Sequence, residues 1–277
     1  MIRLLAMAWV VLLGCQTVVA QNGAANSKTI ILVIPTAIDH AWNTHMYDHE
    51  CKLLVKCLNR NPGVEAVLSP DLDWPKDPKV LQGVKSIVFY SRPAGDIIFA
   101  PERRAQTKEL FDSGVGFAAI HWATGTNEAK LGQDYLDLLG GWFHFNHSGL
   151  KVGQYPLVKI DPAHPVCNGW NSFPLTDEIY LNLKFHPQAK PQVRVKVDGK
   201  DQVVAWVHER KNQGTGRSFG TTLGHFHDNF TNESFRKMLL NGILWTAHVP
   251  VPENGADAKA NEADWRLPTP PAPPAKK

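Results

Sequence analysis

The run Gly114-Val115-Gly116-Phe117-Ala118-Ala119-Ile120-His121-Trp122-Ala123 constrains the chain more than any other stretch. Residues 115–120 are apolar without alternation, so a strand made of them must be covered on both faces. That is the pattern of a central strand in a parallel sheet. A helical stretch follows over 131–139. In an open α/β sheet, ligands bind outside the carboxyl ends of the strands. His121, placed directly after the strand, is therefore expected at the mouth of a cleft, where an imidazole can move protons or hold a metal. A histidine that only caps a loop would occupy the same position.

The rest of the chain repeats the theme. Residues 29–34 form a buried first strand, followed by a loop over 35–43 and a helix over 43–59 that Asn61-Pro62-Gly63 stops. Short strands are expected at 64–68 and 84–90, and a helix at 102–111 closed by Ser113-Gly114. Strands alternating with helices predict a parallel sheet with right-handed crossovers. After Gly140-Gly141 the helical period is lost, and strands are expected at 155–160, 178–185, 192–197 and 203–207. They read as a β-rich excursion laid against the parallel sheet. A further strand over 217–223 ends at Gly224-His225, and a helix over 232–247 closes the domain.

Both ends differ from this body. Arg3 followed by the apolar stretch 4–13 has the form of an export signal. Val18-Val19-Ala20 offers a small-residue cleavage site, and Leu12-Leu13-Gly14-Cys15 offers a lipoprotein site that would place a lipid on Cys15. The first reading gives a signal peptide over 1–20, a flexible segment over 21–28, a domain over 29–251 and a disordered proline-rich tail over 252–277. The protein is then periplasmic or extracellular; the second reading instead makes it a lipoprotein whose only membrane contact is through a lipid on Cys15. Cleavage after Ala20 leaves Cys51, Cys57 and Cys167, an odd number that excludes a fully paired framework and suits small buried hydrophobes. Net charge is only +3, with no basic run interleaved with aromatics, which argues against a nucleic-acid partner. Spacing is silent on oligomeric state.

Twelve histidines and nine tryptophans dominate the chemistry. His121 and the pair His225 and His227 follow strands of the parallel sheet, so they should face one edge. If extended, His225 and His227 share a face and can bind a metal or act as a base and its orienting partner; Asp228 and Asn229 instead suggest a helix entry. Asp177 and Glu178 are adjacent, so in a strand only one looks into the cleft. His40 and His45 share no face by spacing and are expected to line the cleft separately. His144 and His147 share a face only on a helical turn. Trp122, Trp142 and Trp206 are candidates to stack on a sugar ring, with core packing as the alternative. Neither His-Glu-x-x-His nor Cys-x-x-Cys occurs, so a metal must be assembled from distant segments.

Several segments together resemble the ThuA-like proteins, named for trehalose utilisation. They are His40-Ala-Trp-Asn-Thr-His45, Ala119-Ile120-His121, Leu139-Gly140-Gly141, Ala163-His164-Pro165, Thr176-Asp177-Glu178-Ile179-Tyr180 and Leu223-Gly224-His225-Phe226-His227. The resemblance implies a flavodoxin-like α/β fold of the class I glutamine amidotransferase type. It also implies that His121 stands where true amidotransferases carry their nucleophilic cysteine, which removes thiol chemistry. It selects Glu178 over Asp177, as the residue kept two positions before an aromatic, here Tyr180. It implies a carbohydrate substrate, a disaccharide or keto-sugar. The expected catalytic residues are then His121 and Glu178 as base and acid and His225 as oxygen donor, with His40, His45, Trp122, His147, Asp177, Trp206 and His227 around the substrate. Two alternatives remain. One is a metal-dependent hydrolase in which His40, His121, His144 and His225 hold zinc or manganese. The other is a non-catalytic carbohydrate-binding or scaffold module.

Overall fold

The computed structural model describes residues 27–210 and 215–270. The expected leader with Cys15, most of the segment before residue 29 and the end of the tail lie outside them.

In chain order the strands are β1 (Thr29–Pro35), β2 (Val64–Leu68), β3 (Val84–Tyr90), β4 (Gly116–Ile120), β5 (Gly141–Trp142), β6 (Gly149–Pro156), β7 (Val158–Lys159), β8 (Pro174–Leu181), β9 (Lys184–Phe185), β10 (Lys190–Val197), β11 (Lys200–Glu209) and β12 (Arg217–Thr221). The helices are α1 (Tyr47–Leu58), α2 (Ala94–Ile98), α3 (Arg104–Asp112), α4 (Gly132–Leu139), α5 (His227–Thr231), α6 (Glu233–Thr246) and α7 (Glu262–Trp265). The main sheet runs β2-β1-β3-β4-β12-β11-β10-β7. Its first five strands are parallel, in the flavodoxin order, with the switch point between β1 and β3. β11, β10 and β7 add antiparallel pairs. The expected excursion is thus largely part of the same sheet. Only the two-stranded ribbons β6-β8 and β5-β9 stand apart. The strand expected at 178–185 is broken at Asn182, whose φ of 56° is left-handed and turns the chain.

Every residue of β4 is buried, as its unbroken apolar run requires. Gly116 is obligatory there, because a Cβ would lie 2.2 Å from the Thr246 carbonyl oxygen at the end of α6. α1 and α6 cover one face of the sheet, and α2, α3 and α4 the other. Trp206 belongs to the second core. Its ring is fully buried beneath Gly141 and Gly220, where a Cβ would come within 2.5 Å of it. Its indole N–H donates to the Leu139 carbonyl at 3.0 Å, so Trp206 is a core residue and not a sugar platform. Cys51, Cys57 and Cys167 are buried free thiols.

The tail expected to be disordered from 252 is packed over its described part. Ala256 and Ala258 are buried, Arg236 donates to the Ala258 carbonyl, and α7 carries a capping box from Asn261 to Asp264. Prolines at 268, 270 and 271 hide this in composition, because small buried alanines carry no hydrophobic period. No described helix is long and apolar enough to cross a membrane.

Candidate functional site

Three turns at the carboxyl edge of the parallel sheet each deliver a histidine. Each turn is made by left-handed backbone. His121, one residue past β4, has φ 56°; His45, before α1, has φ 50°; Gly224, with φ 117°, precedes His225 after β12. Left-handed φ at a non-glycine residue is strained and persists only where the surroundings impose it.

What imposes it is hydrogen bonding. The His121 Nδ1–H donates to the Thr222 carbonyl at 2.7 Å, across the β4-β12 pair. The loops before α1 and after β12 are zipped by His45 N–H to the His225 carbonyl (3.1 Å) and His227 N–H to the Asn43 carbonyl (3.0 Å), around a bridge between Thr44 and Phe226. The third support is Asp177, fully buried on β8. Its carboxyl accepts from the N–H of Gly224 (2.6 Å), His225 (2.9 Å) and Glu178 (2.9 Å). Burial pushes this carboxyl up to about 7 in spite of the three donors. Asp177 therefore does not line a substrate cleft; it holds the turn that carries His225.

The result is one compact centre. His45 Nε2 lies 2.9 Å from His225 Nδ1 and 3.1 Å from His121 Nε2, and the last two are 3.2 Å apart. Glu178 Oε2 stands 3.7 Å from His121 Nε2 and 3.6 Å from His225 Nδ1. The Tyr180 hydroxyl is 3.3 Å from His121 Nε2, and the Tyr47 hydroxyl 2.5 Å from His45 Nδ1. His121 and His45 are sealed, whereas His225 and Glu178 keep 14% and 18% of their side chains exposed, so access is from their side. Burial pushes His121 down to about 3 and His225 down to about 4, and holds His45 far below the usual imidazole range. All three rings are neutral near pH 7. Burial raises the Glu178 carboxyl.

Neutral rings make the arrangement informative. The Thr222 carbonyl can only accept, so His121 carries its proton on Nδ1 and turns a lone pair inward. The centre then holds at most two inward N–H groups, neither aimed by an acceptor other than a neighbouring imidazole. Nitrogens about 2 Å from one ion at tetrahedral angles are about 3.3 Å apart, close to the spacing found. A carbonyl acceptor on the outer nitrogen is how ligating histidines are oriented. The residues therefore fit a divalent cation held by His45, His121 and His225, with Glu178 above it.

The other residues expected here are placed variously. His40 stacks on His45 at 3.6 Å between ring centres and is bonded to Asp39, so it adjoins the centre at His45. The Trp122 ring meets His40 and His45 edge-on at 5.0 and 5.8 Å. His227 starts α5 instead of continuing extended; its Nδ1 meets the buried Glu50 carboxyl, away from the three converging nitrogens. His144 bonds to the Asn127 carbonyl and His147 packs on Trp142, so neither reaches the cation position. Of the set expected to hold a metal, His121 and His225 converge, and the third converging nitrogen is that of His45. Spacing against His40 could not reveal this, because the partners of His45 are 76 and 180 positions away. Tyr47, Tyr180, Glu50 and the Thr222 carbonyl were not anticipated; only the aromatic at 180 had a signal, as part of a motif.

The trehalose utilisation family model, ThuA, matches residues 36–246. Among solved structures, a ThuA-like protein from Bacteroides uniformis shares 16% identity and a TM-score of 0.61, covering 82% of this chain and 94% of that one. A glutamine amidotransferase from Thermotoga maritima shares 10% identity at a TM-score of 0.42, covering 86% and 99%. A GMP synthase protein from Thermoplasma acidophilum shares 13% at 0.43, covering 80% and 95%. No curated protein matches the chain. With the family model spanning most of its length, this chain belongs to the ThuA family.

Proposed function

We propose that this protein is an exported enzyme of disaccharide utilisation, acting on a sugar or keto-sugar derivative at a divalent-metal centre formed by His45, His121 and His225. The observation that carries the reading is the convergence of three imidazole nitrogens within 3.2 Å beneath the Glu178 carboxyl. The family's association with trehalose supports the substrate class, and the apolar leader over 4–13 supports export.

A bound ion would act as a Lewis acid on a carbonyl or hydroxyl oxygen of the sugar. The chain's own groups supply the proton transfer. The sequence suggested His121 as base, but its ring is sealed and its inner lone pair faces the other histidines. Glu178 has both exposure and a carboxyl raised by burial, which suits a base working near neutral pH. It takes the proton from the carbon beside a keto group, and the C–H electron pair moves onto the keto oxygen as an enolate. The Tyr180 hydroxyl, 3.3 Å from the inner Nε2 of His121, lines the same centre, while the Thr222 carbonyl holds the ring from behind.

The test is turnover of a 3-keto-glycoside by wild type, His121→Ala and Glu178→Gln. Both variants should lose at least about 10²- to 10³-fold in kcat/KM while circular dichroism shows the fold intact. Metal content should fall in the first and persist in the second. Full activity in His121→Ala discards the assignment.

A further inference from the structure

The same edge of the sheet carries a cavity of about 140 Å³ beside the histidine centre. Trp122, Asn127, Phe143 and Phe145 line it. Trp122 is a shared wall, since its ring also meets His40 and His45. Phe143 is buried and packs at 4.2 Å on Tyr180, whose hydroxyl reaches His121. Two aromatic walls thus lead from the cavity to the centre.

We propose that this cavity is a second sugar subsite, which takes the pyranose ring of a disaccharide that does not react while the other ring lies at the histidines. The proposal rests on the carbohydrate reading given above. Three features argue for a sugar ring. Phe145 leaves 61% of its surface in water, 5.0 Å from Phe143, so an apolar ring face stands uncovered at the cavity. The C–H face of a pyranose covers such a ring without burying hydroxyls. The rim is polar: Asp96 takes one amide hydrogen of Asn127 at 2.7 Å and the backbone N–H of Asn127 at 2.9 Å. That fixes an amide whose other hydrogen and carbonyl oxygen can meet hydroxyls. Lastly, the volume is well below that of a pocket for a drug-sized ligand, so it suits one ring and not a chain.

The subsite predicts a preference for two rings over one that Phe145 creates and the histidines do not. Calorimetric titration with trehalose and with methyl α-glucoside, on wild type, Phe145→Ala and Asn127→Ala, tests it. Wild type should bind trehalose more tightly; Phe145→Ala should weaken trehalose about three- to tenfold and the glucoside less than about twofold. Asn127→Ala should act in the same direction. Phe145 is exposed, so the variant should fold, and circular dichroism checks this. Equal losses for both sugars, or none for either, overturn the subsite and leave the carbohydrate reading standing. If wild type binds neither sugar, the subsite fails, while the carbohydrate reading is decided separately by turnover of the 3-keto-glycoside.

Discussion

Two histidine–carboxylate groups flank the zipped loops before α1 and after β12, and they are wired differently. In one, His45, His121 and His225 turn their inner nitrogens toward one another, and Glu178 stands more than 3.5 Å off. In the other, His227 Nδ1 is hydrogen-bonded directly to Glu50 Oε1, so the histidine nitrogen meets a carboxyl and not other imidazoles. The residue types match, and the residues are as close in sequence as His225 and His227. The first is open to a ligand; the second ties the start of α5 to α1. Chemistry therefore follows from whether lone pairs are left facing a shared point, not from a count of histidines. Glu50 is fully buried with Oε2 unpartnered among the described residues, which makes the second group costly as well as structural.

Substitutions should separate the two groups. The largest effect belongs to the open one: His225→Ala should lower kcat/KM by at least about 10³-fold, with less than about 1 kcal/mol of change in urea stability. His227→Ala should do the reverse, costing about 3 kcal/mol because a buried carboxyl is left alone, with a smaller loss of activity. Equal profiles for the two variants would erase the distinction. Next is Asp177→Asn. It replaces one acceptor of the Gly224 and His225 N–H groups by an N–H, so stability should fall by about 2 kcal/mol and activity by tenfold or more, since His225 loses its support. Full activity would show that the turn holds itself.

The smallest effect is a pH dependence. Burial outweighs the His227 contact and pushes Glu50 up to about 7 from 4.5. The folded state then binds this proton more tightly than the unfolded chain. The associated stability is present below pH 4.5 and is lost as pH rises through about 7. Glu50→Gln cannot titrate, so its stability minus that of wild type should grow over this window by up to roughly 3 kcal/mol. A difference that stays flat in urea titrations from pH 4.5 to 7.5 would mean Glu50 is ionised throughout.

The same contrast explains what the sequence disclosed. β2 and β3 lie at the bounds their apolar runs predict, and the ends of β4 and β12 carry His121 and His225 to one edge as parallel topology requires. Strand alternation separates Asp177, which is sealed, from Glu178, which keeps some exposure. Ring direction is another matter. The inward turn of His45 and His121 depends on left-handed φ values that only tertiary contacts impose. The departure of His227 depends on α5 starting one residue earlier than an extended reading allows. Trp206 lies under two glycines far apart in sequence, so its burial has no local signal.

The claim that the three-imidazole group is a cation site is tested most directly by elemental analysis of untagged protein after exhaustive dialysis and reloading with zinc or manganese. The account predicts one ion per chain in wild type and in His227→Gln, and loss of that ion in His45→Ala, His121→Ala and His225→Ala. No retained ion in wild type, or retention unchanged in those three variants, would contradict it.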